Sequence, residues 1–197
     1  MNIHSVALAI GTALPTISVL VYIRSILKGQ TRPHRTTYLL LSMITGLSFA
    51  SLLASRDTSG VWLAGVSFVQ CLIVLGLALK FGMGGKDPFD VVCIGLCALG
   101  ILAWLLTGES LMGLIASIVA DFLAVLPTLR KVWRHPHTEV WLFYALDAIA
   151  AGFILGAGPY AVRAMIFPGY LLAINAVCAA LIIGRERVRV AVKNKSA

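Results

Sequence analysis

Charged residues are scarce in this chain, and their scarcity excludes most classes of soluble protein. Only 12% of the 197 residues are Asp, Glu, Lys or Arg, against about 25% in ordinary globular domains. Only 8 residues are acidic. The hydrophobic fraction is 59% and the mean hydropathy is +0.94. This composition indicates that the chain folds in a bilayer and not in water.

Cysteine is also rare, and its pattern argues against a metal or disulfide framework. All 4 cysteines fall inside apolar stretches. Cys93 and Cys97 are one helical turn apart, but no histidine accompanies them, so a zinc site is not expected. His34, His135 and His137 stand in loops beside basic residues, which argues against haem ligation. We expect no metal or cofactor and interpret the cysteines as small apolar side chains.

Long apolar runs, by contrast, are abundant. A helical crossing of the bilayer core takes about 20 apolar residues, whereas a strand of a transmembrane barrel takes about 10. Seven runs approach the helical length and end at charges or turn residues, namely 5–23, 38–55, 61–79, 91–107, 111–129, 140–157 and 164–184. The sequence therefore predicts an all-α integral membrane protein with seven transmembrane helices. It forms a single membrane domain over 1–197, in which 185–197 is a basic cytoplasmic tail.

Basic residues are distributed unevenly around these runs. Fourteen of the 16 follow the first, third, fifth or seventh run, which places them on one side. The positive-inside rule assigns that side to the cytoplasm, so the N-terminus is predicted outside and the C-terminus inside. This bias accounts for the net charge of +8, and no nucleic-acid partner is expected. The expected location is a cell membrane, with a bacterial inner membrane as the best fit.

One short motif occurs twice, as PHRTTYLL at 33–40 and PHTEVWLF at 136–143. Similarity continues on both sides of each copy, so 5–79 and 111–184 are predicted to be two copies of one three-helix unit. A three-helix unit ends on the side opposite its start. A second copy in the same orientation therefore needs one extra crossing, which the linker helix at 91–107 supplies. Parallel repeats of this kind occur in transporters.

The stretch LPTLRKVWRHPHTEVW at 126–141 carries a family resemblance. Pro127 and Thr128 precede a basic loop and the hydroxyl residue Thr138. Together with the 3+1+3 plan and the external N-terminus, this stretch resembles the SWEET and PQ-loop transporters, in which a proline, often Pro-Gln, stands at that place. Here Thr128 replaces the glutamine, and the first repeat has Val21-Tyr22 there. The resemblance implies a small-solute transporter in which Pro127 takes part in gating.

Two acids lie inside predicted spans, Asp121 and Asp147, where an ionised carboxylate costs about 2.5–3.5 kcal/mol to insert. At 1.5 Å per residue from the nearest flanking charge, each lies roughly 12–13 Å deep. Gln70 and Asn175, the matched carboxamides of the repeat, lie roughly 15 Å deep, and Pro15 lies at a similar level. We predict that these residues share a layer near the midplane, where repeat transporters bind substrates.

Roles follow from these positions. The predicted substrate or proton site comprises Asp121, Asp147, Gln70, Asn175 and Tyr144, which shares a helical stripe with Asp147; the predicted hinge or gate comprises Pro15, Pro127 and Thr128. A carboxyl that gains and loses a proton at the midplane suits proton coupling. The alternative is structural, with polar groups that bond a neighbouring helix and prolines that hold static kinks.

The sequence thus predicts a transporter that moves a small polar solute by alternating access, and no enzymatic activity. The expected partners are the solute, protons and membrane lipid, and homo-oligomerisation stays open. The alternative function is a non-transporting receptor or assembly subunit with the same fold. A retinal protein is excluded because no lysine occurs from 132 to 192. An intramembrane aspartyl protease is disfavoured because the acids follow Ala120 and Leu146, and not the residues that such proteases require.

Two local signals complete the analysis. KFGMGGKD at 80–87 fails as a phosphate-binding loop, because Asp87 stands where Ser or Thr is required. Asp87 and Pro88 are predicted instead to be the N-cap and first-turn proline of the fourth helix. Gly152 and Gly156 form a GxxxG pattern that predicts a close helix-packing face.

Overall fold

The computed structural model describes residues 3–54, 58–85, 87–107, 110–157 and 162–195. These ranges contain seven α-helices and one short 3-10 helix, and no β-strand beyond an isolated bridge between His34 and Met83. The α-helices are α1 (Ile3–Leu27), α2 (Arg35–Ala54), α3 (Thr58–Phe81), α4 (Pro88–Thr107), α5 (Ser110–Arg134), α6 (Trp141–Ala157) and α7 (Val162–Lys195), and the 3-10 helix η1 (Pro136–Thr138) lies between α5 and α6. The predicted all-α fold with seven helices is confirmed.

Each predicted run corresponds to one helix, and most helices extend past the run on both sides. Val140 precedes α6, and Ser55, the last residue of its run, lies outside the described residues. The segment from 185 onwards, predicted as a basic tail, continues α7 as far as Lys195. Arg, Glu, Lys and Ala are good helix formers and no proline interrupts them, so the helix does not stop where the apolar run stops.

Two helical segments, Ser5–Leu27 and Met165–Arg189, are long and apolar enough to cross a membrane, as judged by length and composition. Shorter apolar helical segments cover Gly65–Phe81, Pro88–Leu99 and Trp141–Ala157. A bilayer crossing requires both length and apolar character. The described helices are therefore consistent with association with a membrane.

The first of two compact units comprises Met1–Thr31 and Leu129–Ala197. Within it α6 packs against both α1 and α7, and η1 contacts α7. The Arg185 guanidinium of α7 donates hydrogen bonds of 3.2 and 3.0 Å to the Trp133 carbonyl oxygen and lies 4.5 Å from the centre of its indole ring. A cation at the carbonyl end of a helix satisfies an otherwise unpaired acceptor, so α7 is attached to the last turn of α5.

The second unit comprises Arg32–Thr128, in which α2 packs against α3 and α4. Its core consists of small and medium side chains from α2, α4 and α5, namely Leu40, Cys93, Cys97, Ala120 and Ala124. Both cysteines are free thiols, as predicted. The predicted N-cap of α4 is confirmed, because Asp87 Oδ1 accepts a 3.0 Å hydrogen bond from the Phe89 amide.

This division groups α1, α6, α7 and the C-terminal end of α5 in one unit and α2, α3, α4 and the rest of α5 in the other, whereas the sequence repeat relates 5–79 to 111–184. Packing neighbours and duplicated segments are different properties, so the repeat stays a prediction. The GxxxG pattern has a clearer outcome. A Cβ at Gly152 or Gly156 would meet no described atom within 4 Å. The pattern therefore forms no close contact among the described helices.

Candidate functional site

The candidate site lies along the contact between α1 and α6 in the first unit. These helices run antiparallel, because contacts progress up α1 as they descend α6. Gly11 faces Ile154 and the Ala150 carbonyl, Ser18 faces Asp147, and Tyr22 faces Phe143. The absence of a side chain at Gly11 permits close approach, since a Cβ there would lie 2.7 Å from Ile154 Cγ1 and 3.1 Å from the Ala150 oxygen.

Asp147 lies at the middle of this contact and bonds to a serine on the neighbouring helix. Ser18 Oγ is 2.5 Å from Asp147 Oδ1 and 2.9 Å from the carbonyl oxygen of Pro15. Ser18 is fully buried. A hydroxyl has a single proton to donate, so it can satisfy only one of these two acceptors at a time. The arrangement thus links the protonation state of Asp147 to the carbonyl of a helix proline.

A second buried polar group lies one turn further along α1, beyond the N-terminal end of α6. Tyr22 donates its phenolic hydrogen to Glu139 Oε1 at 3.0 Å, and the Lys131 ammonium forms an ion pair with the same oxygen. The side chains of Lys131 and Glu139 are 2% and 0% exposed. Burial lowers the pKa of Lys131 and the Glu139 carboxylate opposes that shift. This triad joins the ends of α1 and α5 to the residue that precedes α6.

Asp121 of α5 belongs to the second unit, in a thiol-rich environment. Its carboxylate is close enough to interact electrostatically with the Cys71 and Cys97 thiols. Cys71 shares a hydrogen bond with Thr45, whose hydroxyl also donates to the Leu41 carbonyl at 2.7 Å. Its neighbours on α5, Ala120 and Ala124, are buried. Asp121 is thus half-buried beside a closely packed stretch of α5 and is near thiols of α3 and α4.

The predicted hinge on α5 is closely packed. Pro127 and Thr128 are both almost fully buried, and Thr128 Oγ1 lies 2.9 Å from Thr37 Oγ1 of α2. Either hydroxyl can be the donor. Thr128 thus makes a polar contact between α5 and α2.

The remaining predicted residues of the substrate or proton site are Asn175, Gln70 and Tyr144. Asn175 is half-buried, and its amide donates to the Leu171 carbonyl of its own helix at 2.9 Å. Gln70 is half-buried on α3. Tyr144 is buried, with its ring 4.9 Å from that of Phe143. Asp147, Asn175, Tyr144 and Pro15 belong to the first unit, and Asp121, Gln70, Pro127 and Thr128 to the second.

Sequence reasoning missed four residues of the site, namely Ser18, Tyr22, Lys131 and Glu139. From the sequence, Lys131 is only one of the basic residues on the cytoplasmic side, and Glu139 is only the flanking charge from which the depth of Asp147 is measured. One signal was present. Glu139 follows the basic segment from Arg130 to His137 by two residues, and no other acidic residue lies close to that segment. Ser18 and Tyr22 also share one face of α1 with Pro15, at spacings of three and four.

No group of three or more His, Cys, Asp or Glu side chains among the described residues could hold a metal ion. The chain matches no protein-family model, no curated protein and no solved structure. The chemistry of the site is therefore argued from its own geometry. That geometry offers one half-buried carboxyl beside a serine hydroxyl on the α1–α6 contact, and one buried ion pair between the end of α5 and the residue that precedes α6.

Proposed function

We propose that the chain is a multi-pass membrane transporter that moves a small polar solute by alternating access and couples it to protons. The N-terminus lies outside and the C-terminus in the cytoplasm. Support comes from the apolar helices, from the large hydrophobic side chains that they leave exposed, such as Leu20, Leu99 and Leu106, and from the buried polar contacts between α1 and α6. Exposed apolar surface on this scale is suited to lipid contact.

The observation that carries the proposal is the Asp147–Ser18–Pro15 contact. When Asp147 is a carboxylate it can only accept, so the Ser18 proton is directed to it and leaves the Pro15 carbonyl. When Asp147 is protonated it can donate to Ser18 Oγ, and Ser18 then donates to the Pro15 carbonyl. Loading or release of one proton thus changes which group holds the backbone at Pro15.

Pro15 is a suitable place for such a change. Proline has no amide hydrogen, so the Gly11 carbonyl one turn earlier lacks its helical donor and the helix can bend there. Gly11 itself packs directly on the α6 backbone. A bend at Pro15 would therefore alter the α1–α6 contact, and proton exchange at Asp147 would bias that bend.

The Lys131–Glu139–Tyr22 triad supplies the cytoplasmic side of this mechanism. It holds together the ends of α1 and α5 and the start of α6 by one ion pair and one hydrogen bond. Opening towards the cytoplasm requires these contacts to separate or move as a unit. Asp121, Gln70, Asn175 and Tyr144 are assigned to solute or proton contacts, with Pro127 and Thr128 as the gate of the second repeat.

The test is proton movement in liposomes that contain the purified protein and a pH-sensitive dye. A sugar, a neutral amino acid and an organic cation are added in turn, and solute-dependent acidification of the interior is recorded. Asp147→Asn keeps a hydrogen-bonding partner for Ser18 but cannot release a proton, so we expect acidification to fall at least tenfold while the protein stays folded. Asp121→Asn tests the second acid.

Glu186→Gln makes the same chemical change at the far end of α7, and full activity is expected of it. If no solute or proton moves in wild-type liposomes, and both aspartate variants keep the cellular phenotype, transport is the wrong function. That result would favour the receptor or assembly subunit.

A further inference from the structure

A partly open cavity of about 270 Å³ lies in the second unit. Leu39, Leu75, Leu79 and Ile94 form its apolar walls, whereas Arg35, Thr36, Gly84 and Gly85 form one polar end. The volume is about nine times that of a liquid water molecule, too large for a packing defect. Leu39 and Leu79 are 40% and 63% exposed, so the cavity opens sideways at the helix surface.

The polar end contains a hydroxyl whose hydrogen bonds are not satisfied. Thr36 is 1% exposed, and its Oγ1 has no hydrogen-bond partner in the structure. Buried polar atoms are nearly always paired, and each exception calls for an explanation. Threonine populates two common χ1 rotamers in a helix, and rotation between them changes the direction of the hydroxyl. A ligand in the cavity can therefore recruit this hydroxyl.

Arg35 provides a fixed positive charge at the same end. Its Nε donates to the Ala78 carbonyl at 3.1 Å, and its two terminal nitrogens donate to Leu79 and Gly84 carbonyls at 3.4 and 3.5 Å. These bonds use three of the five N–H groups of a guanidinium. Neither ion pair found among the described residues involves Arg35. Two N–H donors and the full positive charge of Arg35 stay available to a ligand. The hydrogen bonds to the three carbonyl oxygens hold the guanidinium in place.

The rim of this end is held in place before any ligand arrives. Gly84 and Gly85 have φ values of 81° and 95°, and a Cβ at Gly84 would overlap the His34 ring. The Gly85 amide donates to Asp90 Oδ2 at 2.6 Å, and Met83 pairs with the backbone of Pro33 and Arg35. A preformed rim lowers the entropy that a ligand must lose on binding.

We propose that this cavity binds an anionic phospholipid of the surrounding bilayer, with the phosphate at Arg35 and Thr36 and the start of an acyl chain along the leucine wall. The inference rests on the membrane part of the proposed function, because the lipid must be adjacent to the opening. Charge selects the ligand. An arginine with free donors and a hydroxyl recognise a phosphate oxygen, and apolar walls that open sideways accommodate a chain continuous with the bilayer.

The experiment measures lipid binding to the purified full chain in detergent by native mass spectrometry and by thermal shift. Phosphatidylglycerol is compared with phosphatidylcholine, and we expect phosphatidylglycerol to bind at least tenfold more tightly. Thr36→Val replaces the unpartnered hydroxyl by a methyl group of the same shape. It is expected to leave the lipid-free melting temperature equal or higher, and to weaken phosphatidylglycerol binding about tenfold. A merely structural role for Thr36 would not separate these two effects.

Two controls keep the test decisive. Arg32→Gln removes an exposed charge three residues away and should leave binding unchanged, whereas Arg35→Gln should abolish the preference for phosphatidylglycerol. Inorganic phosphate is the second probe. Saturation of the site by phosphate at the same affinity as the lipid would mean a simple anion site and overturn the proposal, as would Thr36→Val and Arg35→Gln variants that retain full lipid preference. Binding in detergent requires no solute flux, so this result is independent of the transport assay.

Discussion

Burial of the Lys131–Glu139 ion pair costs free energy, yet each of the two charges depends on the other. Removal of two charges from water costs several kcal/mol per ion, and their mutual attraction recovers this only when the remaining valences are also satisfied. Tyr22 satisfies part of Glu139, but Glu139 Oε2 has no hydrogen-bond partner in the structure. The pair is therefore a weak source of stability as a unit, although each member depends strongly on the other.

Glu139→Gln should therefore destabilise the protein by about 3–5 kcal/mol, because it removes the carboxylate that forms the ion pair with the buried Lys131 ammonium. Replacement of both residues, as in Lys131→Met with Glu139→Leu, should recover most of this loss. The measurement is unfolding in detergent by denaturant for the two variants and the wild type. Equal destabilisation in the single and double variants would show that the ion pair is not the cause.

The pH dependence of Glu139→Gln checks the same explanation by a different route. Burial already lowers the pKa of Lys131 below its usual 10.5, and loss of the opposing carboxylate lowers it further. A lysine with a lowered folded pKa binds fewer protons in the folded than in the unfolded state. The unfolding free energy of the variant should therefore rise with pH from the folded pKa up to about 10.5, and then level off.

For whole helices, the controlling feature is the close α1–α6 contact at Gly11. An added Cβ there would meet the movable end of the Ile154 side chain and the immovable Ala150 carbonyl. The Ile154 side chain can rotate away, but the clash with the Ala150 carbonyl can be relieved only if the two helices separate. Because Ser18 and Asp147 are in contact at 2.5 Å on the same interface, even a few tenths of an ångström of separation would weaken that bond.

Gly11→Ala should destabilise the protein by about 1–3 kcal/mol, the usual cost of overpacking, and should also reduce proton-coupled uptake. Addition of Ile154→Ala should restore part of the stability, because it removes the nearer of the two clashes. Gly152→Ala is the matched control on α6, where nothing lies within 4 Å of the new Cβ. Helix propensity alone should make that control neutral, or up to about 1 kcal/mol more stable. If Gly11→Ala behaves like the control, the contact is looser than the structure indicates.

The helices themselves could be predicted from the sequence, because their signals are local. Apolar length identified all seven, and Asp87-Pro88 identified the start of α4. The ends were underestimated where good helix formers carry charge, as along α7 after Arg185, since an apolar window cannot detect a polar extension. The GxxxG pattern encodes a capacity for close packing and does not specify a partner.

The site could be predicted only in part, because its contacts connect distant segments. The free-energy cost of placing a carboxylate in the bilayer core identified Asp147 without reference to its neighbours. Its partner Ser18 is 129 positions away, and nothing local to either residue specifies that α1 packs on α6. Lys131 and Glu139 are only eight positions apart, yet their pairing depends on the turn at η1, which reverses the chain between them.

Across the entire chain, the distribution of basic residues is the strongest indication of orientation in the membrane. Fourteen of 16 are on one predicted side, and translocation of a single Lys or Arg through the bilayer core is unfavourable. An odd number of crossings then places the two ends of the chain on opposite sides. The 3+1+3 plan depends on this parity, because two three-helix units in the same orientation need an odd number of crossings between them.

Labelling of single cysteines tests the predicted topology directly. In a variant without the four native cysteines, Ser5→Cys, Gln30→Cys, His137→Cys and Arg187→Cys each introduce one thiol at an exposed position. A membrane-impermeant maleimide should label Ser5→Cys in intact cells, and should label the other three only after the membrane is opened. Ser5 lies in the first turn of α1 and Gln30 follows its last turn, so their opposite behaviour reports a single crossing by that helix. Labelling of Ser5→Cys and Arg187→Cys from the same side would mean an even number of crossings. The parallel duplicated plan, and with it alternating access between two like-oriented units, would then be wrong.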